Sequence, residues 1–244
     1  MRQPPALSEH QVGALLAACR VWLRWERLPR PDGRRRSLPI ATRVLLGYYT
    51  GARPEAVDQL RWSAIDLRRG LVRYDSKGHR GIVCPLEPPL LDHLQELAGR
   101  IRPELGDLVL EAPRSGRKAV NWRRPWGRLL RLANRRLETE ERIPEGVPLH
   151  VLRHTRISHL LGAGVPAQVV AQITGTSLVM LQRHYAHLMV ATLQIAVERA
   201  RRHPVLRAVE AFAHGQTSGR KTRRRPPSTA EDAERKRRQN QAIN

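Results

Sequence analysis

Glycine and proline cut this chain into short pieces, and that punctuation constrains its fold more than any other feature. Helical runs stop at Thr50-Gly51 and at Gly164, and new ones open at Pro54 and Pro166. Proline suits the first helical turn, where its missing N–H has no partner to lose. Glycine suits the position just past the end, where the backbone turns left-handed. Only short helices fit between such breaks. The first starts at Leu7-Ser8-Glu9-His10-Gln11, with Ser8 as N-cap, Gln11 as its capping-box partner and Leu7 as a hydrophobic staple. Leu15, Leu16, Cys19, Trp22 and Leu23 then recur at helical spacing. After a loop over 30–36, further helices are expected at about 39–49, 54–60, 120–137 and 152–163. Another starts at Pro166, with Val169, Val170 and Ile173 on one face; one holds Tyr185, and a last one covers 190–200.

One region breaks the helical rhythm. Residues 71–74 and 81–86 read as strands around the polar turn Asp75-Ser76-Lys77-Gly78-His79-Arg80, so a hairpin is expected. A third strand is expected over 108–110. The fold class is therefore α+β: mostly helical, with a small antiparallel sheet. Aromatic residues make up only 4% of the chain, so its core must rest on Leu, Val, Ile and Ala. The 244 residues suffice for a real core. A folded domain is expected over 1–214 and a basic, disordered tail over 215–244, where Arg220 to Arg225 and Arg235 to Arg238 flank Pro226-Pro227.

The 44 Lys and Arg against 22 Asp and Glu give a net charge of +22. Such an excess binds polyanions by releasing their counterions, and nucleic acid is the usual partner. An anionic membrane is the competitor, but no basic amphipathic helix with Trp or Phe on its other face stands out. The apolar run Val12 to Cys19 is too short to span a bilayer. Met1 to Ser8 is polar and broken by proline, unlike a signal peptide. Cys19 and Cys84 form neither a metal spacing nor a disulfide framework, which points to buried thiols in a reducing cytoplasm.

His150, Arg153 and His154 are crowded just after Pro148-Leu149. A zinc helix would need a catalytic Glu where Val151 stands, and a third ligand. Anion binding fits better, because residues three apart share a helix face and a helix start favours negative charge. A solvated basic face is the bland alternative. Arg53 also sits at a helix start, before Pro54. Lysine is rare: only Lys77, Lys118, Lys221 and Lys236 occur, so a lysine in the hairpin turn departs from the chain's habit. An ammonium can give up a proton where a guanidinium cannot, as a general acid must; otherwise Lys77 is an ordinary surface lysine. Tyr185 lies in the basic setting Arg183-His184-Tyr185-Ala186-His187. It is either a phenol nucleophile or a core tyrosine.

In this order, TGARPEAVDQLRWSAIDL (50–67), the Lys77 hairpin ending in Pro85-Leu86, HVLRHTRISHLLGAGV (150–165) and LQRHYAHL (181–188) resemble the tyrosine recombinase, or phage integrase, family. The resemblance covers about residues 7–188 and implies the catalytic-domain fold of that family. It implies DNA strand cleavage and rejoining: Tyr185 attacks a phosphodiester and forms a 3′-phosphotyrosine. Arg53 and Arg153 hold the non-bridging oxygens, Lys77 protonates the leaving 5′-oxygen, and His150 gives acid/base support. His154 would brace the helix. No metal and no cofactor are implied. The partners implied are double-stranded DNA, further copies up to a tetramer on paired sites, and an accessory or N-terminal clamp. The setting would be a nucleoid-associated cytoplasmic one, in mobile-element integration, excision or resolution.

Three departures accompany the match. Thr176 stands where the family usually has His or Trp; it can donate a hydrogen bond but carries no charge, which weakens the expected activity. Ala56 stands where an acidic residue is common, with Glu55 one residue earlier. Ser8 begins where the family's catalytic domain begins, so the clamping helical domain is expected from elsewhere. The alternatives are a non-catalytic DNA-binding remnant and a type IB topoisomerase-like activity.

Overall fold

A computed structural model describes residues 6–26, 39–76, 79–110, 121–202, 204 and 207. It divides into two units, 1–198 and 199–244; among the described residues the second holds little beyond the last turn of a helix. The expected tail at 215–244 lies outside the described residues.

Helix α1 (Glu9–Glu26) opens on the expected capping box. The Ser8 N–H donates to Gln11 Oε1 at 2.9 Å, and the Gln11 N–H donates to Ser8 Oγ at 3.2 Å. Leu7 is buried, and its N–H donates to Thr155 Oγ1 at 2.9 Å, which ties the chain start to the later helix bearing Thr155. Helix α2 (Ile40–Thr50) is almost wholly buried, and packs against α1 and the helix that bears Thr155. It ends at Gly51, with φ +64°, as the glycine punctuation requires. Pro54 opens the short helix α3 (Pro54–Asp58). Buried Arg43 of α2 grips Asp58, the last residue of α3, through two hydrogen bonds, at 2.6 and 2.8 Å, and so pins the end of α3 to α2.

The sheet order is β1-β2-β3, all antiparallel: β1 (Ile65–Asp66), β2 (Leu71–Ser76) and β3 (His79–Pro85). Val72 pairs with Cys84, and Tyr74 with Ile82; all four are buried, while Arg73 and Val83 on the alternate positions are exposed. That is the period of two a half-buried hairpin needs. The expected third strand at 108–110 is not one. Leu108 makes a single bridge with Arg61, and β1 takes the third place. Val109 and Leu110 are buried for packing, not for a ladder.

Helix α4 (Pro88–Ile101) has no counterpart in the sequence reading. Its Pro88-Pro89 start resembles a break, yet proline is at home in a first turn, and Leu90, Leu94 and Leu97 form its buried stripe. Helix α5 (Arg123–Asn134) buries Trp126, Leu129, Leu130 and Ala133 against α1 and turns its arginines outward. It is shorter than expected, and residues 111–120 lie outside the described residues. Asn134 holds both the N–H and the carbonyl of Ile143, and the Trp126 indole donates to the Val147 carbonyl at 2.7 Å. These bonds aim the following loop into α6 (Val151–Gly162). Then come α7 (Ala167–Thr174) and α8 (Leu178–Arg201). The two helices expected around 185 and 190–200 are continuous through α8, with a kink at Tyr185.

A large core runs through α1, α2, the sheet, α4 and α5. A smaller one, of Ile157, Leu161, Ala167, Val170, Ala171, Leu181 and Tyr185, joins α6, α7 and α8. Both are built mostly from aliphatic residues, as the low aromatic content requires. Cys19 and Cys84 are buried thiols outside any disulfide. Among the described residues no helix is long and apolar enough to cross a membrane.

Candidate active site

Three helix ends meet at one carbonyl. Arg53 is the N-cap of α3, placed by the α2–α3 corner at Gly51, and its guanidinium donates to the Gly175 carbonyl at 3.3 Å. Arg153, in the first turn of α6, donates to that same carbonyl at 3.3 Å, to the Gly51 carbonyl at 2.7 Å, and to the Thr174 carbonyl. Gly175 is the left-handed residue that ends α7, with φ +63°. Its conformation turns its carbonyl out of the helix, where both arginines reach it.

Arg153 is only 4% exposed, and the bonds it makes are to carbonyl oxygens rather than to a carboxylate. Burial, and next the charge of Arg53, lower its pKa to about 10, so it remains a cation at neutral pH. Two like charges brought this close are stabilised by an anion between them.

His150 caps α6 and is half-buried. Burial first, and then Arg153 and Arg53, lower its pKa, against the pull of Glu55. Ala56, at the position where an acidic residue is common, packs against the core. The His154 ring stands edge-on to the His150 ring, 4.7 Å away. On its other side, His154 Nδ1 lies 2.5 Å from the Tyr185 hydroxyl. Burial, followed by His150, Arg153 and His184, lowers the His154 pKa to about 4, so the ring is neutral at cell pH. Tyr185 is 4% exposed, and burial pushes its phenol up to about 12, against the pull of Arg153. It sits at φ −130°, ψ 17°, where α8 leaves helical geometry.

Of the residues singled out in the sequence, Arg53, His150, Arg153 and Tyr185 converge. Thr176 joins them as the buried neighbour of Gly175, with its N–H held by the Ala171 carbonyl at 3.2 Å. Lys77 lies outside the described residues. The strand leading to it is pinned to this site, because the Tyr74 hydroxyl donates to the Ile173 carbonyl of α7 at 2.6 Å. His154, expected to brace the helix, lies in hydrogen-bond contact with the phenol. Its place four residues after His150 put both rings on one helix face, but nothing in the sequence told which ring would meet Tyr185. Among the described residues no group of three or more His, Cys, Asp or Glu side chains stands together to hold a metal ion.

The family model for the phage integrase family matches residues 5–191. Tyrosine recombinase XerD of Vibrio vulnificus (strain YJ016) is 29% identical over 213 residues, which cover 83% of this chain and 62% of that protein. The chain thus spans less than two thirds of the length of such relatives. In fold it is similar to the catalytic domain of bacteriophage HP1 integrase, with a TM-score of 0.51, 23% identity, and coverage of 81% of this chain and 95% of that one. It is similar also to the Tn1549 transposon integrase solved in complex with transposon right end DNA, with a TM-score of 0.57, 19% identity, and coverage of 82% and 66%. The mostly helical fold with its three-stranded sheet is that of the tyrosine recombinase catalytic domain, and with the family model matched over most of its length the chain belongs to the phage integrase family.

Proposed function

We propose that this protein cleaves and rejoins double-stranded DNA through a covalent 3′-phosphotyrosine at Tyr185. The observation that carries this reading is the convergence of Arg53 and Arg153 on one carbonyl, beside the phenol of Tyr185 and two imidazoles. A phosphodiester seated there puts its non-bridging oxygens on the two guanidiniums, which stabilise the charge that grows in the transition state. Tyr185 Oη attacks the phosphorus, the P–O5′ bond breaks, and Lys77 protonates the leaving 5′-oxygen. Thr176 donates a hydrogen bond to the phosphate, and His150 gives acid/base support. The covalent link conserves the energy of the phosphodiester, so a second 5′-hydroxyl can reverse the step. A net charge of +22 supplies the affinity for duplex DNA.

Within this reading, residues 1–214 form the catalytic domain and 215–244 a basic tail that adds backbone contacts. Protomers act together on paired sites, up to a tetramer, with an accessory or N-terminal clamp on the other side of the duplex, in the nucleoid. Val190, Leu193 and Val197 lie exposed along α8 after Tyr185, which suits a neighbouring protomer. The relatives named XerD, and the Tn1549 integrase solved on DNA, support the choice of substrate.

A nicked suicide duplex tests the reading, because cleavage next to the nick releases a short fragment and traps the adduct. Its target sites would come from DNA flanking the gene. The wild-type protein should form an adduct stable to denaturant, and Tyr185→Phe should form none. Tight binding without an adduct would instead make the chain a DNA-binding remnant.

A further inference from the structure

We propose that His154 is a catalytic residue that accepts the Tyr185 phenol proton as that oxygen attacks phosphorus. The inference rests on the phosphotyrosine reading and assigns its missing base. His154 Nδ1 is 2.5 Å from Tyr185 Oη, a short hydrogen bond to the reacting atom itself. The two rings are tilted by 32°, with centroids 6.2 Å apart. His150 stands behind His154, ring against ring, rather than on the phenol. His154 directly follows Arg153 in α6, so a single helical turn carries a guanidinium for the phosphate and an imidazole for the nucleophile.

The proton sits on Nε2 of neutral His154, and Nδ1 offers its lone pair to the phenol. As the Oη–P bond forms, the Oη proton passes to Nδ1 and the ring becomes an imidazolium. The P–O5′ bond breaks, and the leaving oxygen takes its proton from Lys77. In rejoining, a 5′-hydroxyl attacks and gives its proton to the neutral Lys77 amine, while His154 returns its own to the departing phenolate. No redox change occurs.

The charged and titratable groups facing His154 are His150 and Arg153 on α6, and His184 and Tyr185 on α8. Burial first, and then these neighbours, disfavour a resting imidazolium, so the ring waits as an acceptor. The phenol is held un-ionised until it reacts. The negative charge that develops on the phosphate then favours the imidazolium it lacked at rest.

The test measures single-turnover adduct formation on the nicked duplex between about pH 6 and pH 8, for wild type, His154→Asn and His154→Gln. Asparagine keeps an acceptor near the place of Nδ1, so it can dock the phenol but cannot take its proton. Each duplex is made twice, with oxygen or with sulfur at the bridging 5′ position; a sulfur leaving group needs no acid. His154→Asn should lose about 100-fold or more on both substrates. Its rate should climb roughly tenfold per pH unit, following the phenolate fraction, while the wild-type rate stays nearly flat. A His154→Asn rate within about threefold of wild type, an unchanged pH profile, or rescue by the sulfur substrate each overturns the proposal. Thermal melting and duplex binding check that the variants fold, and His154→Gln reports the same outcomes should His154→Asn not fold. A wild-type protein without any adduct refutes the phosphotyrosine reading and this inference with it. Adduct from wild type, with any of the three overturning results, refutes the inference alone.

Discussion

Two glycine-to-alanine changes in this protein should move its stability in opposite directions. Gly51 ends α2 with φ +64°, and a Cβ there would stand 2.9 Å from Thr174 Cγ2 and 3.3 Å from Arg156 Cγ. A left-handed alanine costs about 1–2 kcal/mol. Thr174 is fully buried and its hydroxyl is bonded back to the Val170 carbonyl, so it cannot give way easily; overpacking of this kind costs about 1–3 kcal/mol. Gly51→Ala should therefore lose about 2–5 kcal/mol. It should also disturb the Gly51 carbonyl that receives Arg153 at 2.7 Å. Gly13 lies inside α1, exposed, with nothing within 4 Å of its Cβ direction. There alanine removes the entropy penalty of a helical glycine, and Gly13→Ala should gain about 0.5–1 kcal/mol. Urea unfolding with linear extrapolation reads both. In thermal unfolding the changes amount to a fall of roughly 4–20 °C and a rise of roughly 1–4 °C. Effects of the same sign, or a Gly51→Ala loss below about 0.5 kcal/mol, would refute the account of the α2–α3 corner.

Other consequences follow from the same contacts. Arg43→Ala leaves Asp58 without its bidentate partner; with Asp58 about 35% exposed, calorimetry or urea unfolding should show a loss of about 2–3 kcal/mol, and Arg43→Lys should not restore it. Arg53→Ala and Arg153→Ala should each lower adduct formation by about 100-fold or more, while binding to intact duplex, read by fluorescence anisotropy, falls far less. Because burial lowers the pKa of both His150 and His154 in the folded state, the unfolded chain binds the extra protons. Stability should thus be full above the unfolded histidine value and fall as pH drops from about 6.5 toward 4, and His154→Asn should flatten that slope in urea unfolding.

Much of the architecture was legible because its signals are local. The capping box of Ser8 and Gln11, the glycine stop at Gly51, the proline start at Pro54 and the hairpin all act within a few residues. Helix α4 escaped because two prolines in a first turn look like a break, although its Leu90, Leu94 and Leu97 stripe was there to find. The strand expected at Leu108 failed because three apolar residues suit a packed loop as well as a ladder. In the candidate site, the places of Arg53 and Arg153 at helix starts were legible, while their roles came from the family resemblance. Their common partner, the Gly175 carbonyl, is a backbone atom that no side-chain pattern encodes. The bond from His154 to Tyr185 spans 31 residues and depends on the kink in α8, so which of two nearby imidazoles meets the phenol is decided by tertiary packing alone.

Peptide mapping of the trapped protein–DNA adduct tests the central claim most directly. After nuclease and protease digestion, mass spectrometry should find a nucleotide esterified through its 3′-phosphate to Tyr185, in the peptide His184 to Arg199 given by cleavage after arginine. A nucleotide on any other residue, or linked through a 5′-phosphate, would contradict it.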